Sequence, residues 1–80
     1  MSNLVHFKRF DVRPLLERGQ EPLPAIRGRV NALKAGEGLL VIAPFLPSPL
    51  IEMLRGEGFA SRIERGATGE WIVCFWRSAV

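Results

Sequence analysis

Apolar residues along the chain follow the two-residue repeat of strands in some segments and the three-to-four-residue repeat of helices in others. Residues 4–10, LVHFKRF, predict a first strand because Val5 and Phe7 alternate with His6 and Lys8. DVRP then turns the chain away. The next stretch, LLERGQE (15–21), contains a glycine and little periodicity, so it is expected to be a loop.

The segment from residue 22 to residue 33 has helical periodicity. One narrow apolar stripe is formed by Leu23, Ile26, Val30 and Leu33. Pro22 and Pro24 fall in the first turn, where their missing N–H groups lose no bond. Gly28 weakens the helix unless another element packs closely against it. KAGEG is expected to end the helix, with Gly36 as a left-handed cap.

The second half of the chain predicts a strand, a short helix and a hairpin. LLVIA (39–43) is a continuous apolar run of strand length, and PFLPSP is a loop with Ser48 as the expected N-cap of the following helix. That helix stops at GEG. FASRIER (59–65) and WIVCFW (71–76) are two strands joined by the glycine-containing turn GATGE.

The predicted order of elements is strand, helix, strand, helix, strand, strand. Its economical packing is an α+β fold, a two-layer α/β sandwich with a four-stranded mixed sheet and two helices on one face, in a single domain over residues 1–80. WIVCFW is apolar at the positions of both faces. The outer face of this last strand is therefore a candidate contact for a homodimer or a neighbouring domain.

Composition limits the function classes. Eighty residues bury a thin core without a deep internal cleft, and the single cysteine, Cys74, excludes a disulfide scaffold. The longest apolar stretch is 14 residues, broken by three prolines, and is too short to span a bilayer. We expect a protein of the cytoplasm without a membrane partner.

The net charge of +3 is concentrated in the first 30 residues, which hold six basic side chains against three acidic ones. Such a patch could attract nucleic acid. The plainer interpretation is a solvated, arginine-rich face.

Candidate catalytic and metal-binding residues are few. His6 and Cys74 lie far apart in the sequence and no acidic cluster accompanies them, so no metal site and no cofactor are predicted. Cys74 lies in a hydrophobic strand, where burial makes a thiol unreactive, and Ser48 has no assignable base. Both GEG sequences follow a helix rather than precede one, which excludes a phosphate-binding loop. The prediction is that the protein is not an enzyme.

The succession DVRP, GQEPLP, LKAGEGLLVIAP and LIEMLRGEGF, over about residues 7–77, resembles the TusA-like (SirA-like) sulfur-carrier superfamily, and within it the branch known only as a domain of unknown function. The resemblance implies the same βαβαββ fold. In the sulfur carriers the first helix opens with Cys-Pro-x-Pro, whose cysteine carries a persulfide. This chain has Glu21-Pro22-Leu23-Pro24 there. A carboxylate cannot carry a persulfide, so sulfur relay is not expected.

Two functional hypotheses follow. The first is a non-catalytic module that docks a protein partner at the edge where both helices begin, through the candidate residues Glu21, Arg13, Arg18, Phe45 and Leu46. Glu21 could instead serve only the helix N-terminus, and Phe45 and Leu46 could instead fold back over the core. The alternative is an RNA- or DNA-binding domain that uses the basic residues Arg13, Arg18, Arg27 and Arg29.

Overall fold

The computed structural model describes residues 5–77 of the chain. It contains three helices and four strands, in the order β1 (His6–Asp11), α1 (Arg13–Glu17), α2 (Leu23–Asn31), β2 (Glu37–Ala43), α3 (Ser48–Gly56), β3 (Phe59–Arg65) and β4 (Trp71–Arg77). None of these helices is long and apolar enough to cross a membrane. Leu4, where the predicted first strand begins, lies outside the described residues.

The four strands form one mixed sheet in the order β1-β2-β4-β3. β1 pairs with β2 in parallel, whereas β4 runs antiparallel to both β2 and β3. The hairpin of β3 and β4 and the α+β two-layer sandwich predicted from the sequence are confirmed.

The core lies between the sheet and the helices. Its largest fully buried side chains are Phe75, Leu39, Leu54, Val12, Val41 and Val73. Ile26 and Val30 of α2 and Ile51 of α3 belong to the same cluster. Alternate strand positions point toward the helices, so a strand such as β2 supplies Leu39 and Val41 to this cluster and the residues between them to the other face.

The loop predicted over residues 15–21 is wrong in its first part, because α1 occupies Arg13–Glu17. Pro14 lies in the first turn of α1, and Leu15 and Leu16 pack against the core. The turn closes where Gly19 adopts a φ of +73° and the Gln20 amide donates to the Leu15 carbonyl. Five residues are too few to show helical periodicity, so packing rather than pattern determines this helix.

The helix ends also differ from the predicted ones. The Pro47 carbonyl accepts the first helical hydrogen bond, from the Ile51 amide, so Pro47 rather than Ser48 is the N-cap of α3. α2 ends at Asn31, and Gly36 adopts its φ of +81° in the turn that leads into β2 rather than at the helix C-cap. Prolines and glycines marked the turns correctly, and α3 ends at Gly56 in the predicted GEG turn, but the N-cap of α3 and the end of α2 differ from the predicted residues.

The face of the sheet that points away from the helices is called the outer face here. Strand pairing arranges it as three rows of four residues: Phe7, Gly38, Trp76 and Ala60; Arg9, Leu40, Cys74 and Arg62; Asp11, Ile42, Ile72 and Glu64. Its centre is apolar and its charged residues lie on the two edge strands. β4 is therefore apolar on both faces, as its sequence indicates.

Candidate functional site

The loops that follow the parallel strands β1 and β2 meet at one edge of the sheet, called the carboxyl edge here. α1 begins there after β1, and the Pro44–Pro47 loop and α3 begin there after β2. β3 runs parallel to β2, so its turn into β4 also lies at this edge. A shallow recess of about 190 Å³ between these segments is lined by Arg13, Pro44, Thr68, Gly69 and Glu70.

A bidentate ion pair fixes one wall of the recess. Arg13 donates from Nε to one carboxylate oxygen of Asp11 at 2.9 Å and from an Nη atom to the other at 2.7 Å. The Arg13 backbone amide adds a third bond to Asp11 at 3.0 Å. These hydrogen bonds hold the pKa of Asp11 below its ordinary value, and the same contact raises the pKa of Arg13. The pair therefore stays charged through the neutral pH range.

The turn between β3 and β4 forms the opposite wall. The Thr68 hydroxyl donates to Glu70 at 2.6 Å, the Thr68 amide donates to the same oxygen, and the pKa of Glu70 is lowered chiefly by the hydroxyl. Arg65 donates to the Gly69 carbonyl and lies over the Trp71 ring, 4.2 Å from its centre. The turn thus holds the negative charge of Glu70 across the recess from the guanidinium of Arg13, which is already paired with Asp11.

Two exposed apolar side chains follow directly after Pro44. Phe45 is 51% exposed and Leu46 is 38% exposed. The sequence left open whether these residues fold back over the core, and in the structure they do not. Pro44 and Pro47 restrict the backbone on either side, so the two side chains are displayed on a short, stiff loop.

Glu21 and Arg18 lie in the exposed segment between α1 and α2. Glu21 is exposed and precedes Pro22, the N-cap of α2, where no side chain makes a capping hydrogen bond. Arg13 pairs with Asp11, and within residues 5–77 neither Arg13 nor Arg18 forms an ion pair with Glu21. A shared recognition site of Glu21, Arg13 and Arg18 stays a prediction.

The arginines of the nucleic-acid hypothesis are largely engaged within the protein. Arg27 on α2 donates from both Nη atoms to the Glu57 carboxylate, each at 2.6 Å. Arg29 lies over the Phe10 ring, 4.2 Å from its centre. With Arg13 bound to Asp11, three of the four candidate arginines already have partners, and a phosphate would compete with those contacts.

The structure also brings together an aromatic pair that the sequence analysis missed. Phe7 and Trp76 meet edge to face on the outer face, with ring centroids 5.9 Å apart. The residues are 69 positions apart in the sequence, and only the strand order places them in one row. Alternation along each strand shows only which residues of the same strand lie on one face, such as Ile72, Cys74 and Trp76 in β4.

Residues that could support catalysis or hold a metal remain scattered. Within the described part of the chain no group of three histidine, cysteine, aspartate or glutamate side chains is placed to hold a metal ion. Cys74 is buried on the outer face, and burial, with the Glu64 carboxylate nearby, raises the pKa of its thiol. A second cleft of about 260 Å³ at the opposite edge is lined partly by Lys34, Glu37 and Arg77, whose charges are mixed.

Comparison with protein families identifies the chain. The model of DUF2249, a family described as uncharacterized conserved proteins, matches residues 9–77. The chain belongs to this family. The DUF2249 match covers β1 from Arg9 onward and every later element through β4, so it includes both walls of the recess and the Phe45–Leu46 loop. Neither the curated proteins nor the solved structures contain a match to this chain.

Proposed function

We propose that this DUF2249 domain is a non-catalytic docking module that binds a protein partner at the carboxyl edge through Phe45 and Leu46. The observation that carries the proposal is the exposure of two adjacent large apolar side chains, 51% and 38%, between two prolines. Exposed apolar side chains scattered singly need no explanation, but adjacent ones on a stiff loop form a small patch.

The prolines favour binding as well as display. Ordering a flexible interface side chain or loop costs free energy on association, and a loop that is already restricted loses less. Pro47 is buried and begins α3, so the loop is attached to the core at its carboxyl end. Phe45 is the expected anchor, since a phenylalanine side chain buries a large apolar area and is enriched at the cores of protein interfaces.

The charged recess next to the loop supplies the polar rim of the proposed interface. Pro44 lines the recess beside Arg13 and Glu70, so the apolar patch and these two opposite charges adjoin. The expected partner presents an apolar side chain to Phe45 and Leu46 with polar groups around it. Because Arg13 already has a carboxylate partner, the rim contributes orientation more than affinity.

We further propose that the family descends from a sulfur-carrier fold that has lost its cysteine. The positions of α2 and α3 between the strands and the Pro-x-Pro at the start of α2 support this relationship, and α1 is an additional helix. Glu21 precedes that Pro-x-Pro, and a carboxylate cannot carry a persulfide. Cys74 does not replace the missing thiol, because it is buried in β4 on the outer face and its pKa is raised. The proposed function is therefore binding of a partner without sulfur transfer.

Site-specific photo-crosslinking tests the docking proposal. A photoreactive phenylalanine analogue at position 45 is expected to capture one partner in cells, and Ile63 provides a matched control because it is 47% exposed on a different part of the sheet. Capture from position 45 should disappear when Leu46→Asp is added. Equal capture from positions 45 and 63, or capture that survives Leu46→Asp, overturns the proposal.

A further inference from the structure

We propose that the outer face of the sheet mediates a weak homodimer in which two copies pack face to face with their strands antiparallel. This inference does not depend on the proposed docking function, because it concerns a different surface. A sheet with one face in water shows polar residues at the outward positions. Here the outward positions of the two central strands are Leu40 and Ile42 in β2 and Ile72, Cys74 and Trp76 in β4.

The charges on this face are arranged in a pattern that fits a second copy of itself. The row that contains Leu40 and Cys74 has an arginine at each end, Arg9 on β1 and Arg62 on β3. The next row, which contains Ile42 and Ile72, has an acidic residue at each end, Asp11 and Glu64. The cationic row and the anionic row are therefore neighbours on this face. A line drawn between them runs across the four strands.

A twofold axis along that line places unlike charges opposite each other. It lies in the interface, perpendicular to the strands, and exchanges the two rows between copies. Arg9 then faces Asp11 of the second copy, and Arg62 faces Glu64 of the second copy. These contacts add to pairs that already exist within one copy, Arg13 with Asp11 at 2.7 Å and Arg62 with Glu64 at 2.9 Å. The apolar centres also meet, with Leu40 over Ile42 of the other copy.

The other face-to-face arrangement is disfavoured by the same charges. A twofold axis parallel to the strands places β1 over β3 and leaves each row opposite itself. Arg9 then faces Arg62 of the second copy, and Asp11 faces Glu64. Like charges that meet across an interface cost affinity, so the charge pattern selects the antiparallel dimer.

The size of the face predicts that the dimer is weak. The axis opposes only the two charged rows, so four strands spaced about 4.8 Å apart and two rows spaced about 6.7 Å apart give a flat area near 260 Å² for each copy, or about 500 Å² for both. Specific stable interfaces bury about 1,200–2,000 Å² in total. Ile42 and Cys74 are already buried within one copy, which leaves the half-buried Leu40 and Ile72 to supply the apolar contact, since Trp76 lies in the row outside the overlap.

Sedimentation equilibrium of the chain between about 10 μM and 1 mM tests the proposal, since interfaces below the standard size belong to weak and transient encounters. The expected result is a reversible dimer that Ile72→Lys abolishes. Ile63→Lys is the matched control, because Ile63 lies on β3 but points to the other side of the sheet and is exposed. A monomer at every concentration, or a dimer that Ile72→Lys does not affect, overturns the proposal.

A charge-exchange experiment distinguishes the two arrangements without altering the apolar centre. In the antiparallel dimer, Arg62→Glu places an acid opposite Glu64 of the second copy and should weaken association at least tenfold. Adding Glu64→Arg exchanges the two charges and should restore it. In the rejected arrangement Arg62→Glu would face Arg9 and strengthen association, so a tighter dimer contradicts the inference. The side chains of Arg62 and Glu64 are 71% and 47% exposed and pair with each other within one copy, a contact worth about 1 kcal/mol or less, so the variants are expected to stay folded, and circular dichroism checks this directly.

Discussion

Gly38 is the residue at which the structure makes its sharpest prediction about packing. It is buried in β2, between Phe7 of β1 and Trp76 of β4 in the row across the sheet. A methyl group at this position would lie 2.6 Å from a ring carbon of Phe7 and 2.6 Å from the backbone carbonyl oxygen of Phe75. Real methyl groups do not approach other atoms this closely, so Gly38→Ala forces a displacement.

The expected cost follows from what must move. The Phe7 ring can rotate away, but it then loses its edge-to-face contact with Trp76, which is worth about 0.5–1.5 kcal/mol. The Phe75 carbonyl belongs to the ladder with β2 and cannot move without disturbing it. Overpacking of this kind costs about 1–3 kcal/mol, and the smaller backbone entropy of alanine returns about 0.5–1 kcal/mol. The net expectation is a loss of about 0.5–4 kcal/mol in the free energy of unfolding.

Urea denaturation followed by tryptophan fluorescence at a few micromolar protein measures this change in the monomer. Gly28→Ala is the matched control, because nothing lies within 4 Å of the new methyl group and Gly28 is in the middle of α2. That variant should gain up to about 1 kcal/mol through helix propensity. A Gly38→Ala protein as stable as the wild type, or more stable, would refute the packing of Phe7 on Gly38.

Four further predictions concern the buried core, the Asp11–Arg13 ion pair, the Cys74 thiol and the binding of nucleic acid. Leu54→Ala should lower the free energy of unfolding by about 2–5 kcal/mol, because Leu54 is fully buried in α3; a loss below 1 kcal/mol in the same denaturation experiment contradicts this. The folded pKa of Asp11 lies below its ordinary value of 3.8, so its stabilisation is present above that pH and is lost as the pH falls through the folded value. The stability gap between the wild type and Asp11→Asn should therefore close in acid, and a gap that is constant from pH 7 to pH 2 would argue against the pair. Cys74 should react with a disulfide reagent more slowly in the native protein than in urea, since burial raises its pKa; equal rates would place the thiol in water. An amide-shift titration with mixed-sequence single-stranded RNA at low and moderate salt should leave Arg27 and Arg29 unchanged, whereas salt-sensitive shifts there would support nucleic-acid binding.

The sequence predicts most of the fold because the signals are local and strong. β3 has its predicted bounds, Phe59–Arg65, since an alternating segment lies between two glycine-containing turns. β2 extends two residues before its apolar run because Glu37 and Gly38 pair with β1 as well. The short helix α1 was missed because Leu15 and Leu16 become helical only through packing against the core.

The candidate site was less predictable, because it depends on distances between loops. The adjacency of Phe45 and Leu46 is visible in the sequence, but their exposure depends on how the loop leaves the sheet. The pairing of Arg27 with Glu57 depends on the packing of α2 beside α3, and no local pattern indicates it. For the same reason, the excess of positive charge in the first 30 residues does not show which arginines have partners within the protein, and nucleic-acid binding stays the alternative prediction.

The central claim is that Phe45 and Leu46 bind a protein partner, and calorimetric titration of the purified partner captured at position 45 tests it most directly. The wild type and the Phe45→Asp/Leu46→Asp variant are compared under the same conditions, with Ile63→Asp as the control for a charge placed on an exposed apolar residue. If the two residues anchor the interface, the double variant should bind at least about 30-fold more weakly, the effect of losing one interface hot spot of about 2 kcal/mol, while the control binds normally. Affinities of the double variant and the wild type that agree within about twofold, a difference near 0.4 kcal/mol, would contradict the account.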